Sequence, residues 1–304
     1  MRMIVGAAVL LIVGSSSALP QEQPSSGASR PEVGRRLRVA ASQMRSSSDA
    51  GANLAKIERT ILECGRRGVR VVVFPECALT SYSAEAARGA TSEFLKESER
   101  VIGEACRRAG TAAVVGSPWR SGDALYNSAL VFDATGRVVE RYHKLQLAED
   151  WPTPGDHLSV FGLDGVRCCV IICHDERYPE LVRLPVLAGA RVVFYISHES
   201  GLTQERKLGP YRAQIQARAV ENGVFVVQSN APANREGGGS HGQSRVVGPD
   251  GNLMGEEASM FGEDLLVVDL ELEAADAANA RRSLTRGPLA EWWKQGAASV
   301  RILP

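Results

Sequence analysis

The chain has 304 residues, 44% of them hydrophobic and 23% charged, enough apolar material for a full hydrophobic core in one large domain or two. Its 35 Lys and Arg balance 35 Asp and Glu, so neither a nucleic acid nor a strongly charged protein is an expected partner. Six cysteines are too few for a disulfide-stapled scaffold.

The chain opens with Met1-Arg2-Met3 and an apolar run, Ile4 to Val13, too short to span a bilayer comfortably. Ser16-x-Ala18 follows with the small residues of a leader-peptidase site. Residues 1–18 are therefore expected to be an export signal, placing the mature protein in a periplasmic or secreted location with no stable membrane embedding. An uncleaved signal would instead tether the same soluble domain outside the membrane. Residues 19–36, rich in Pro, Ser and Gly, read as a flexible linker.

From Arg38 onward short apolar runs alternate with amphipathic segments. The pattern predicts a strand over Leu37–Ser42, a helix over Ala50–Arg67, a strand over Val69–Phe74, a helix over Ser92–Ala109 and a strand over Ala112–Gly116. Leu125–Phe132 and Val138–His143 flank Asp133-Ala134-Thr135-Gly136 as a hairpin. Strands follow at Leu158–Phe161 and Val166–Ile172, with a helix after Tyr178-Pro179-Glu180. Val192–Ile196 (strand), Pro210–Asn222 (helix), Val224–Ser229 (strand) and a hairpin around Pro249-Asp250-Gly251 come next, and Asp264–Leu270 closes the strands. This is an α/β chain with one domain over residues 37–270. Residues 271–304, with Trp292-Trp293, read as a C-terminal arm that covers either its own core or a partner subunit.

Three apolar runs end in a reactive side chain. Val71-Val72-Val73-Phe74-Pro75-Glu76 ends in a carboxylate, Val138-Val139-Glu140-Arg141-Tyr142-His143-Lys144 in an ammonium, and Val170-Ile171-Ile172-Cys173 in a thiol. A thiol at a strand end is held rigidly and still meets substrate, although a cysteine in an apolar run is more often a small buried hydrophobe. A free thiol is only slightly ionised near neutral pH, so a nucleophilic cysteine needs a base and a nearby cation. A Cys169–Cys173 disulfide, which would block the thiol, is disfavoured by two-residue spacing on one strand face. Cys77, next to Glu76, reads as packing. Neither CxxC nor HxxxH spacing occurs around Cys173-His174, and no metal or cofactor is expected.

Phe74-Pro75-Glu76, Tyr142-His143-Lys144-Leu145 and Cys173-His174-Asp175-Glu176-Arg177-Tyr178-Pro179-Glu180 resemble, in order and spacing, the three motifs of the nitrilase superfamily of carbon-nitrogen hydrolases. Tyr126-Asn127-Ser128, Arg218-Ala219-Val220-Glu221-Asn222 and Gly242-Gln243-Ser244 support the resemblance, which runs from about Arg38 to Leu270. It implies a four-layer α-β-β-α sandwich, homodimers or higher homo-oligomers, and a Glu-Lys-Cys triad acting on a small molecule through a thioester. In that triad Glu76 is the general base, Lys144 stabilises the oxyanion and helps keep the thiolate charged, and Cys173 is the nucleophile, with the His174 backbone N–H as a second oxyanion donor. Many members add a second glutamate, and Glu149 or its neighbour Asp150 fits that place. His143 and Gln146 depart from the commoner Arg and His of the lysine motif, and His174 is similar to amidases and formamidases more than to nitrilases.

Substrate contact is expected from His174, Tyr82 and His198, the last in a polar Ser197-His198-Glu199-Ser200-Gly201 segment that favours a polar substrate. Each has a structural alternative, His174 as a histidine hydrogen-bonded behind the site and Tyr82 as a core aromatic. The resulting expectation is a hydrolase of small amides or N-carbamoyl compounds; an inactive exported binding protein of the same fold, or a nitrilase, are the alternatives.

Overall fold

A computed structural model describes residues 35–199, 208–234, 239–285 and 300–303. The expected export signal, nearly all of the linker, Ser200-Gly201 and Trp292-Trp293 lie outside the described residues. The strands are β1 (Arg36–Gln43), β2 (Val71–Val73), β3 (Ala112–Ser121), β4 (Ala124–Phe132), β5 (Val138–His143), β6 (Leu158–Leu163) and β7 (Val166–Ile172), then β8 (Val192–Ser197), β9 (Phe225–Asn230), β10 (Arg245–Val247), β11 (Leu253–Glu256), β12 (Asp264–Glu271) and β13 (Val300–Ile302). The helices are α1 (Ala50–Arg66), α2 (Ala84–Gly89), α3 (Ser92–Ala109), α4 (Glu180–Leu187), α5 (Leu208–Val220) and α6 (Ala278–Thr285).

Alternation along the strands sorts side chains between layers. In β1 to β4, Leu37, Val39, Val71, Val73, Ala112, Val114, Ala129 and Val131 join the core shared with the second sheet. Their neighbours Ala40, Val72, Ala113, Val115, Leu130 and Phe132 instead meet Ile57 and Ile61 of α1 and Leu95 and Ile102 of α3. Both helices are fixed at their starts, because the side chains of Asp49 and Thr91 accept the backbone N–H of Ala52 and Phe94. One sheet runs β12-β1-β2-β3-β4-β5 and the other β11-β10-β9-β8-β7-β6-β13. They face each other through β1 and β9, β3 and β8, and β4 and β7, while α4 and α5 pack on the second sheet. The layers are therefore α-β-β-α, as expected.

Three departures have local causes. β3 continues past Gly116 through Pro118, because β2 pairs with it only as far as Val114 and the missing proline N–H faces no partner strand there. Residues 300–302 add a parallel strand beside β6, so Asp264–Leu270 is not the last strand and the end of the C-terminal arm completes its own sheet. The short helix α2 also goes beyond the expected elements; its start is capped by Ser83.

Candidate active site

β2, β5 and β7 stop within a few residues of Glu76, Lys144 and Cys173, and the packing of one sheet on the other brings these ends together. Two glycines make the approach sterically feasible. A Cβ on Gly116 would stand 2.1 Å from the carbonyl oxygen of Pro75 and 2.7 Å from Glu76 Cα. A Cβ on Gly155 would stand 2.3 Å from the carbonyl oxygen of His143, where the Gly155 N–H donates to the Lys144 carbonyl at 2.9 Å. Cys173 itself takes a left-handed backbone conformation, φ 44°, uncommon for a residue with a side chain and typical of strained functional turns.

Lys144 is wholly buried, and its Nζ donates to Glu76 Oε1 at 2.8 Å and Glu149 Oε1 at 2.6 Å. Asn127 Nδ2 donates to the same two oxygens, at 2.7 and 3.2 Å. The second oxygen of Glu76 accepts the backbone N–H of His198 at 2.9 Å. Tyr82 donates its hydroxyl to Glu149 at 2.7 Å and stacks its ring on the His198 imidazole at 4.4 Å. The two carboxylates are thus held by neutral donors from three separate segments, with one ammonium shared between them.

Environment separates the two acids. Burial raises Glu76 above the usual carboxylate range, with Lys144 opposing and the charge of Glu149 adding to the rise. Burial also acts against Glu149, but Lys144 and the Tyr82 hydroxyl outweigh it and hold Glu149 low. The two carboxylates that share Lys144 are therefore pushed in opposite directions, Glu76 up and Glu149 down. Lys144 stays charged because Glu76, Cys173 and Glu149 overcome its burial. The Cys173 thiol is pushed well up by burial and Glu76, against the pull of Lys144 and the His198 N–H. Lys144 pulls towards the thiolate, but burial and Glu76 outweigh it and favour the thiol.

Of the two candidate second acids, Glu149 contacts Lys144 and Asp150 is exposed. Tyr82 and His198 both touch the acid–lysine cluster. His174 lies in a 3-10 turn over Cys173–Arg177 and packs its ring edge-on to Tyr178 at 5.8 Å. All six cysteines are free; the Cys77 thiol is buried against Asn127 Oδ1 at 3.7 Å. Among the described residues no group of three or more side chains suited to a metal is present.

Sequence reasoning missed the contacts of Asn127 and a buried cluster around Glu199. The Glu199 carboxylate accepts Tyr195 Oη at 2.7 Å and Gln228 Nε2 at 2.9 Å, and it meets His241 Nε2. Tyr195 Oη also lies 3.3 Å from the Cys173 carbonyl oxygen. Polar residues ending a buried strand, as in Tyr195 to Glu199, were the available signal.

A cavity of 230 Å³ is lined by Glu76, Tyr82 and His198 together with Arg45, Ser46 and Asn234. Cys173 is not part of that lining; its partly exposed side chain neighbours two members of it, Glu76 and the His198 N–H.

Residues 38–280 match the carbon-nitrogen hydrolase family profile. The chain is 28% identical to the omega-amidase NIT2 of Danio rerio over 255 residues, covering 78% of this chain and 89% of the relative. It is 27% identical to the 2-oxoglutaramate amidase of Bacillus subtilis, covering 76% and 88%. Among solved structures it is similar to the amidase of Nesterenkonia sp. AN1, in a mutant with acrylamide added at the active site cysteine, with a TM-score of 0.74 and 26% identity over 84% of this chain and 99% of that one.

Proposed function

Because the chain belongs to the carbon-nitrogen hydrolase family, we propose that Glu76, Lys144 and Cys173 are its catalytic triad and that it hydrolyses a small amide. It is an amidase-type carbon-nitrogen hydrolase, and what supports the finer reading is one observation: a single buried ammonium bonded at once to Glu76 and Glu149 beside the Cys173 thiol. In this reading Glu76 takes the thiol proton as the sulfur attacks the amide carbon. Lys144 has a third N–H left after its two carboxylate bonds, and together with the His174 backbone N–H it stabilises the tetrahedral oxyanion. Glu76 then returns the proton to the nitrogen, the carbon-nitrogen bond breaks and ammonia leaves a thioester. Water, giving its proton to Glu76, attacks that thioester; the carbon–sulfur bond breaks and Cys173 regains a proton. The sum is amide plus water giving carboxylic acid plus ammonia.

The amide substrates named for the relatives, omega-amides and 2-oxoglutaramate, favour an amide over a nitrile. Ammonia release from small amides, N-carbamoyl compounds and nitriles tests this, using the wild type, Cys173→Ala and Glu76→Gln. Amide hydrolysis that survives Glu76→Gln in full would remove the triad assignment; preference for a nitrile would move the chain to the nitrilase branch.

A further inference from the structure

Asp175 stands just past Cys173, in the 3-10 turn that follows β7, and its side chain is wholly buried. One carboxylate oxygen accepts the Tyr142 hydroxyl at 2.8 Å and the Ile172 backbone N–H at 3.1 Å. The other accepts the Gln146 backbone N–H at 2.8 Å. Ile172 ends β7 and adjoins Cys173, whereas Tyr142 and Gln146 flank Lys144 on its two sides along the chain. β5, which ends beside Lys144, belongs to one sheet and β7 to the other. A single carboxylate thus grips the backbone next to the thiol and the chain on either side of the ammonium, across the seam between the sheets.

These partners call for a carboxylate and not merely a polar group. Burial pushes Asp175 up to about 6, while its three donors and the Lys144 charge oppose, so near pH 7 it is mostly ionised and both oxygens only accept. An asparagine of the same shape has one such oxygen. Whichever way its amide turned, its NH2 would face a backbone N–H, that of Gln146 or that of Ile172, and neither can accept. The spacing held in this way matters to the chemistry, because a cation favours a thiolate only at close range and reacting groups need to be held within about 0.5 Å.

We propose that Asp175 is a positioning residue, clamping the Cys173 turn to the Lys144 segment and so setting the distance between the sulfur and the ammonium. This rests on the triad reading and deepens it. Asp175 acts through the chain on each side of it, not on the substrate.

The test uses the wild type, Asp175→Asn and Tyr142→Phe. It measures kcat and KM on the fastest substrate of the amide panel, and the rate at which iodoacetamide alkylates Cys173, read by mass spectrometry of the peptide. In Asp175→Asn kcat is expected to fall about 100-fold, the cost of a 1 Å misplacement, with KM changed by less than about threefold. Alkylation is expected to slow by about three- to tenfold, because a thiol farther from the ammonium is less ionised. Tyr142→Phe removes one donor and leaves both backbone bonds, so kcat should fall about 10-fold and alkylation should slow in the same direction. An alkylation rate that is unchanged or faster in Asp175→Asn overturns the proposal. So does a lower melting temperature with a wild-type kcat, which would make Asp175 a brace for the fold alone. If Asp175→Asn does not fold, Tyr142→Phe decides by the same measures. The triad reading fails separately, through amide hydrolysis that survives Cys173→Ala, whereas the alkylation rates judge the clamp without any turnover.

Discussion

Gly116 lies flush against the backbone of Glu76, with room for no side-chain carbon between them: its Cβ would fall 2.7 Å from Glu76 Cα and 2.6 Å from Cys77 N. The glycine is the floor on which the carboxylate's turn rests. Gly116→Ala should therefore displace Glu76 rather than unfold β3, which stays paired with β4 along its length. Misplacement of a reacting group by about 1 Å costs on the order of 100-fold in rate. The expected result is a kcat at least that much lower with near-native far-UV circular dichroism. A fully active Gly116→Ala would show that Glu76 tolerates the shift.

Glu149 adds, through its negative charge, to the rise that burial gives Glu76, and it shares the Lys144 ammonium that would otherwise stabilise the Glu76 carboxylate fully. Glu149→Gln removes both effects, so Glu76 ionises at lower pH. Since the proposed base must be ionised, the acid limb of kcat/KM should move down by about one pH unit, the scale of a neighbouring like charge. The maximal rate should fall as well, because a weaker base accepts the thiol proton less readily. A pH profile of kcat/KM for both proteins checks this, and an acid limb that moves upward would reverse the assignment of the two acids.

What the sequence disclosed depended on how local each signal was. Glu76, Lys144 and Cys173 were legible because each ends an apolar run within its own segment, and the motif order fitted a known family. Glu149 and Asp150 could not be separated, since adjacent residues in a loop carry no periodicity; only the fold shows which one faces Lys144. The bonds of Glu199 to Gln228 and His241 cross 29 and 42 residues and follow from strand order, not from spacing. β13 escaped notice for the same reason, three residues long and paired with a strand some 140 positions earlier. β3 runs past the expected end at Gly116 because it is paired on one side only by that point, where Pro118 is tolerated.

His143 gives a prediction about stability. Burial pushes it down to about 4, with His157 adding and Glu140 and Asp156 opposing; its ring stacks on Tyr126 at 4.1 Å and its Nδ1 lies 2.8 Å from Ser128 Oγ. An unfolded histidine titrates near 6.5, so between about 6.5 and 4 the unfolded chain binds more protons. The contribution is present in full above about pH 6.5 and is lost as pH falls through about 4. His143→Asn keeps a polar atom for Ser128 but no titration in this range. The stability gap between wild type and variant should narrow by about 1–2 kcal/mol from pH 7 to pH 4.5, a figure reduced for the partly exposed ring. Urea unfolding at both pH values measures it, and a gap that widens on acidification would contradict the buried neutral form.

Glu199 acts on the site through His198. Its backbone N–H donates to Asn230 Oδ1 at 3.1 Å while its carboxylate engages Tyr195, Gln228 and His241, so the residue just after His198 is fixed from both ends. That fixation aims the His198 N–H at Glu76 Oε2. Glu199→Ala removes the acceptor shared by three buried polar groups, of which Tyr195 and Gln228 keep one other acceptor each, and loosens this donor. A carboxylate that loses an N–H bond becomes harder to ionise, so the acid limb of kcat/KM should move up in pH while kcat falls about 10- to 100-fold. Glu199→Gln, which still accepts from Tyr195, should restore most of both. A lower melting temperature with an unmoved acid limb would mean that Glu199 supports the fold alone. An acid limb that moves in Glu199→Ala and returns in Glu199→Gln would place it among the residues that position the base.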